Sequence, residues 1–331
     1  MTTPPLLSVR DLVVEFPTRR GTLRAIDKVS FDIAEGEVLG MVGESGAGKS
    51  LIGAAIIGLL EPPGRIAGGE ILLRGERIDS LAAEPMRRIR GKRIGMVFQD
   101  PLTSLNPLYT VAEQLIETIR THIDCNDREA RERAVALLDR VGIPAAARRI
   151  NDYPHHFSGG MRQRVVIALA LAAEPELVIA DEPTTALDVS VQAQIIDVLK
   201  EICAERGASV MLITHDMGVI AETADRVAVL YAGRLAEIGP VRDVIQHAEH
   251  PYTQGLMGSI PTLTQTSSRL VQIPGSMPRL DAIPQGCAFN PRCPHAMERC
   301  RRDRPGLLPR GADREVACWL YEAAEEEVRH G

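Results

Sequence analysis

Gly43-Glu44-Ser45-Gly46-Ala47-Gly48-Lys49-Ser50 carries the spacing G-x-x-x-x-G-K-S. The apolar run Val38-Leu39-Gly40-Met41-Val42 leads into it, and Leu51-Ile52-Gly53-Ala54-Ala55-Ile56-Ile57 follows. That order predicts strand, glycine-rich turn and helix, the setting of a phosphate-binding loop. Glycines let the backbone curl until successive N–H groups face a phosphate. The helix N-terminus adds partial positive charge. In such a loop Lys49 reaches the β- and γ-phosphates and the Ser50 hydroxyl joins a Mg²⁺ ion. An incidental glycine-rich turn would not need the flanking strand and helix.

A second site supports the first. Leu177-Val178-Ile179-Ala180 predicts a buried strand, and Asp181-Glu182-Pro183 ends it. Carboxylates are disfavoured there unless something pairs with them, and a metal is the usual partner. Asp181 is expected to hold the Mg²⁺ shell. Glu182 is expected to polarise the attacking water as general base. Together the two stretches predict a nucleoside triphosphatase. Ile94–Phe98 predicts another buried strand, with Gln99 at its end, placed to touch Mg²⁺ or a water. Ser209–Thr214 predicts a further one ending in His215, where ligands bind in open α/β sheets. Ser158-Gly159-Gly160 opens a helix over Met161–Ala172. Ser158 suits an N-cap, and the glycines leave N–H groups bare, so this is a second place for an anion.

Other stretches are plainer. Leu6–Phe16 predicts a first strand. Phe16 at its end has two readings, a stacking platform for adenine or a core aromatic. Pro62-Pro63-Gly64 is expected to end the phosphate-loop helix. Arg87–Arg93 reads as a solvated helix face. Leu105–Arg140 changes to charged helical periodicity and predicts a helical insert, over about 105–158.

The chain has 331 residues and a net charge of −6, which argues against general binding to nucleic-acid phosphates. The longest apolar runs, Leu51–Leu60 and Val165–Ala173, are too short to span a bilayer. Met1–Pro5 lacks the pattern of a signal peptide. These features predict a cytosolic chain with reduced cysteines, whose membrane role would need partner subunits.

Taken together, the motifs resemble the ATP-binding subunit of an ABC transporter over roughly residues 6–245. Gly43–Ser50 is similar to Walker A and Gln99 to the Q-loop glutamine. Ser158-Gly159-Gly160-Met161-Arg162-Gln163-Arg164 is similar to the signature motif, with Phe157 and Met161 departing from its commonest form. Asp181-Glu182 resembles Walker B, Ala186-Leu187-Asp188 the D-loop, and His215 the switch histidine. The resemblance implies an α/β, RecA-like P-loop NTPase core with an antiparallel β subdomain and a helical insert, over residues 1–250. It implies ATP bound by Gly43–Ser50 and met by the Ser158-Gly159-Gly160 helix end of a second, head-to-tail subunit, with Gln163 and Asp188 also among the nucleotide-binding residues. Phe98–Pro107 and His250–Leu256 narrow the resemblance to oligopeptide/dipeptide importers. Two permeases, a related ATPase or a second copy, and an extracytoplasmic solute-binding protein are the implied partners, at the cytoplasmic face of the inner membrane. A soluble ATPase of this type, acting on nucleic acid or ribosomes, is the alternative.

From His250 onward prolines recur, and Cys287-x5-Cys293-x6-Cys300-x17-Cys318 appears. Residues 251–331 are expected to form a small irregular domain. A cytosolic four-cysteine set suggests a metal. Zinc usually takes paired short spacings, absent here, whereas a four-thiolate [4Fe–4S] cluster tolerates irregular ones. Resemblance to the importer tails implies such a cluster; zinc and free thiols are the other readings.

Overall fold

The computed structural model describes residues 4–19, 21–184, 189–258 and 273–321. Its strands are β1 (Leu7–Thr18), β2 (Gly21–Ile33), β3 (Val38–Val42), β4 (Arg65–Leu73), β5 (Glu76–Arg77) and β6 (Ile94–Val97). β7 (Leu177–Asp181), β8 (Ser209–Thr214), β9 (Arg226–Tyr231), β10 (Arg234–Pro240), β11 (Leu308–Pro309) and β12 (Glu315–Val316) follow. One sheet is antiparallel, in the order β2-β1-β4-β5. The other runs β11-β12-β10-β9-β3-β8-β7-β6, and its stretch from β9 to β6 is parallel.

The parallel strands read as unbroken apolar runs because both faces are covered. Successive side chains alternate between faces. Val178, Ala180, Val210, Leu212, Val227 and Val229 join the core shared with the helices. Leu177, Ile179, Met211, Ile213, Ala228 and Leu230 join the core under the antiparallel sheet. The insert is helical as expected, over Val111–His122 and Asp127–Arg140. Capping boxes at Thr110/Glu113 and Asn126/Glu129 fix where these helices start.

Two expectations are corrected. The phosphate-loop helix, Lys49–Ile56, ends before the prolines. Gly58, at φ 64°, turns the chain there. The Arg87–Arg93 cluster is not simply solvated. Arg90 donates from Nε to the Ile57 carbonyl and from Nη2 to that of Gly58, both at 2.7 Å, a cation placed at a helix C-terminus. Arg93 pairs with Glu176 and Glu76, each at 2.8 Å. Only the neighbours Arg87, Arg88 and Lys92 are exposed. The helix Met217–Thr223, capped by the Asp216 carboxylate, has no counterpart among the expectations.

The tail is joined to the ATPase core. β12 pairs with β10, Glu237 opposite Val316 and Ile238 opposite Glu315, so the main sheet continues into the tail. Glu237 is fully buried. It accepts from Arg314 Nε at 3.0 Å and from the backbone N–H groups of Glu249 and His250 at 3.2 and 3.0 Å. Removing one partner of a buried ion pair leaves the other uncompensated. Arg314→Ala should therefore lower unfolding stability by about 3–5 kcal/mol, measured by denaturant titration; a loss within error of zero would contradict this role for the pair.

His250 sits behind Glu237, buried, with its Nδ1 accepting the Tyr252 N–H at 3.0 Å. Burial pulls its pKa from 6.5 down to about 4. The folded value lies below the unfolded one, so its contribution is complete above pH 6.5 and is lost as pH falls toward 4. Between those limits wild type should lose up to about 1.4 kcal/mol per pH unit more than His250→Gln, in unfolding titrations run at each pH. Parallel curves for the two proteins would remove His250 from this role.

Candidate active site

The phosphate loop leaves β3 and enters the helix Lys49–Ile56. Gly43 lies against the Leu230 carbonyl, where a Cβ would collide. Gly48 takes φ 105° with Ile26 Cδ1 2.6 Å from where its Cβ would be. Glycine is required at both positions. Gly48 is also the N-cap and offers no side chain, so the first N–H groups of the helix stay open to an anion. Lys49 is 5% exposed, and its Nζ donates to the carbonyls of Gly43 at 2.8 Å and Glu44 at 3.2 Å. Burial lowers its pKa, and the nearby carboxylates of Glu182, Asp181 and Glu44 oppose that shift.

Across the cleft, β7 delivers Asp181 and the chain then turns at Glu182. Asp181 is 6% exposed and accepts from Ser50 Oγ at 2.9 Å. Burial raises its pKa, the Ser50 hydrogen bond opposes this, Glu182 adds to it and Lys49 again opposes it. A buried carboxylate in that condition is suited to a divalent cation. Glu182 stands at φ 44°, a strained position for a residue with a Cβ. Its N–H donates to the Ile213 carbonyl at 2.9 Å, which ties the turn to β8. Gln99 Nε2 donates to Glu182 Oε2 at 3.0 Å. His215 Nδ1 lies 3.6 Å from Glu182 Oε1. Strands β3, β6, β7 and β8 thus bring Lys49, Ser50, Gln99, Asp181, Glu182 and His215 to one edge of the sheet, as their sequence positions predict.

The cleft between them is lined by Ser45, Gly46, Gly48, Lys49, Ser50, Gln99 and Glu182. Phe16 does not line it. The ring packs on the turn after the phosphate-loop helix, where a Cβ at Gly64 would meet Phe16 Cε1 at 2.7 Å. Ser158 caps the helix Gly159–Leu171, accepting from the Met161 N–H at 3.4 Å, and Ser158 and Gly159 are exposed. That helix end is outside the cleft of its own chain. Gln163 points inward instead, 2% exposed, and its Nε2 has no hydrogen-bond partner among the described residues. Asp188 lies outside the described residues, as do Ala186 and Leu187.

Two contributions from the tail have no sequence signal, because they join residues more than two hundred positions apart. Met277, Pro278, Arg279 and Leu280 line the cleft opposite the phosphate loop. Tyr252 and Arg292 reach Glu44 inside the loop itself: the Tyr252 hydroxyl accepts the Glu44 N–H at 2.8 Å, and Arg292 pairs with its carboxylate at 3.0 Å.

The four tail cysteines also meet. Cys287, Cys293, Cys300 and Cys318 line one small cavity with His250, Phe289 and Trp319. Among the described residues none of the four forms a disulfide. The Cys287 N–H donates to the Cys300 carbonyl at 2.8 Å, and Gly286, at φ 71°, has no room for a Cβ beside that carbonyl. Cys125 and Cys203 are elsewhere; burial raises the Cys203 thiol to about 12, which keeps it inert.

Comparison with known proteins accords with this geometry. The family described as ABC transporter matches residues 26–185, and the oligopeptide/dipeptide transporter C-terminal region matches residues 236–300. The dipeptide transport ATP-binding protein DppD of Bacillus subtilis is 48% identical over 98% of this chain and 97% of its own length. The oligopeptide transport ATP-binding protein AppD of the same organism is 45% identical, over 96% of this chain and 97% of its own. DppD of Escherichia coli is 44% identical, over 95% and 96%. Among solved structures, the dimeric ATP-binding cassette MJ0796 in a post-hydrolysis state with ADP and phosphate superposes with a TM-score of 0.65 at 29% identity. It covers 71% of this chain and 99% of that one. On its motifs, its fold and these relatives, the chain belongs to the ATP-binding subunits of ABC transporters, in the oligopeptide/dipeptide group.

Proposed function

We propose that this subunit hydrolyses ATP to drive import of dipeptides, oligopeptides or a related small solute through a membrane transporter. The carrying observation is one cleft that gathers Lys49, Ser50, Asp181, Gln99 and Glu182, in a chain whose relatives are named for peptide transport. The open N–H groups of the loop and Lys49 take the β- and γ-phosphates. Ser50 and Asp181, with Gln99 beside them, would hold Mg²⁺, which supplies charge neutralisation at the phosphate oxygens. Glu182 accepts the proton of the attacking water, Gln99 orients that water, and His215 steadies the Glu182 carboxylate.

The exposed helix end at Ser158-Gly159-Gly160 suits the ATP of a second subunit, a sister ATPase or another copy. Permease docking is supported by exposed apolar side chains on either side of Gln99 in sequence: Phe98, Leu102, Leu108 and Tyr109 are exposed, Leu108 by 80%. Large exposed apolar side chains so close together mark a contact surface. Among the described residues no helix is long and apolar enough to cross a membrane, which accords with a peripheral subunit at the cytoplasmic face. A separate binding protein would then deliver the solute. The relatives give no support to the nucleic-acid alternative.

The cysteine cavity is best read as the seat of a [4Fe–4S] cluster, whose chemistry is thiolate-bound electron storage. Three sulfurs accept a backbone N–H from two residues further on: Cys287 from Phe289, Cys293 from His295, Cys318 from Leu320. Such donors favour thiolate. Burial pushes all three thiols up, Cys318 to about 11, so loading would displace protons. Among the described residues no three His, Cys, Asp or Glu side chains are grouped to hold a metal ion, so the cluster reading rests on the four cysteines sharing this cavity and on the resemblance of the tail.

Two experiments test these readings. Glu182→Gln should keep ATP affinity and cut hydrolysis by roughly 100-fold or more, assayed with purified protein and permeases; turnover at the wild-type rate would remove Glu182 as base. Protein purified without oxygen should be brown and carry about four irons per chain, and Cys318→Ser should lose that colour. Colourless wild-type protein with one equivalent of zinc would overturn the cluster.

A further inference from the structure

The phosphate loop contains an anion of its own. Glu44 follows Gly43 directly, and its carboxylate is near enough to be felt at Lys49. A free carboxylate beside a triphosphate cradle opposes the very charge that the cradle collects. In this fold the carboxylate is not free. Arg292 Nη1 lies 3.0 Å from Glu44 Oε1 and 3.1 Å from Oε2. The Arg292 side chain is only 7% exposed. It is held from every side: Nε donates to the Pro274 carbonyl at 2.8 Å, and the guanidinium lies 5.8 Å from the Tyr231 ring centroid and 5.9 Å from that of Phe289. The Tyr252 hydroxyl meanwhile accepts the Glu44 N–H at 2.8 Å. Two tail residues therefore fix both the backbone and the charge of one loop residue.

We propose that Arg292 is a positioning residue for ATP binding: it neutralises Glu44 and holds its carboxylate away from the phosphates, so that the cysteine-bearing tail completes the ATP site of its own chain. This rests on Gly43–Ser50 being the triphosphate cradle. Without Arg292, an uncompensated charge stands beside the loop. ATP should suffer more than ADP, because it brings more negative charge. Removing the Glu44 charge should cancel the defect; because deleting both halves of an ion pair can also repair a merely structural contact, the larger loss for ATP than for ADP, with melting unchanged, is the readout that separates the two.

The test uses the full-length protein with Mg²⁺ and measures ATP and ADP affinity by calorimetry, with thermal melting as the check on folding. Wild type failing to bind ATP would sink the functional reading itself. With wild type binding, Arg292→Ala should weaken ATP roughly tenfold and ADP by less. Arg292→Lys, which keeps the charge, should stay within about threefold of wild type. Arg292→Ala combined with Glu44→Gln should return to within about threefold of wild type. Should Arg292→Ala not fold, Glu44→Gln alone decides, and it should bind ATP more tightly than wild type. The proposal is overturned by unchanged ATP affinity in Arg292→Ala, by equal losses for ATP and ADP with no rescue in the double variant, or by weaker ATP binding in Glu44→Gln.

Discussion

Charge inside a dry sheet edge is the constraint on which this structure turns. Lys49 and Asp181 are nearly buried, and each is unfavourable there alone. They are tolerable because each lies within the field of the other's opposite charge, and because Ser50 donates to Asp181 while Lys49 donates to the Gly43 and Glu44 carbonyls. Everything around them serves that proximity. β3 and β7 must lie on either side of β8, in register, for the loop and the carboxylates to emerge at the same edge. The apolar runs that build those strands, packed on both faces, fix where that edge emerges.

The residues that carry the chemistry were legible because each ends an apolar run. Asp181, Gln99 and His215 stand where a strand stops, and a parallel sheet puts such ends together. The phosphate loop was legible from its glycines. What escaped the sequence depends on distance along the chain. Arg90 sits in a basic cluster that looks solvated, yet two carbonyls at the end of a helix thirty-odd positions earlier claim it. Phe16 has the composition of a stacking platform and the surroundings of a core residue, and only its contact with the turn at Gly64 separates the two. Gln163 belongs to a motif with a helix end exposed to solvent, but its position on the turn faces inward.

The tail shows the limit most clearly. Its prolines and cysteines announce an irregular region, and most of it is irregular. Composition does not reveal that Glu315 and Val316 join the main sheet, or that Arg314 enters it to meet Glu237. Nor does it reveal that Tyr252 and Phe289 pack with Tyr231 in the same core as the helices. A segment that looked appended is continuous with the enzyme, and its aromatic cluster lies between the cysteine cavity and the phosphate loop.

That continuity bears on solubility as well as on catalysis. Without β12, strand β10 would present a row of unpaired backbone groups, a template for another chain. The tail pairs with it at Glu237 and Ile238, and the strand that then becomes outermost, β11, is two residues long and contains Pro309, which has no N–H to offer. At the far side β6 is only four residues long. Among the described residues the sheet thus grows to eight strands and ends on short ones at both sides, so the tail that reaches the ATP site through Tyr252 and Arg292 also shortens, through other residues, the edge on which a second molecule could pair.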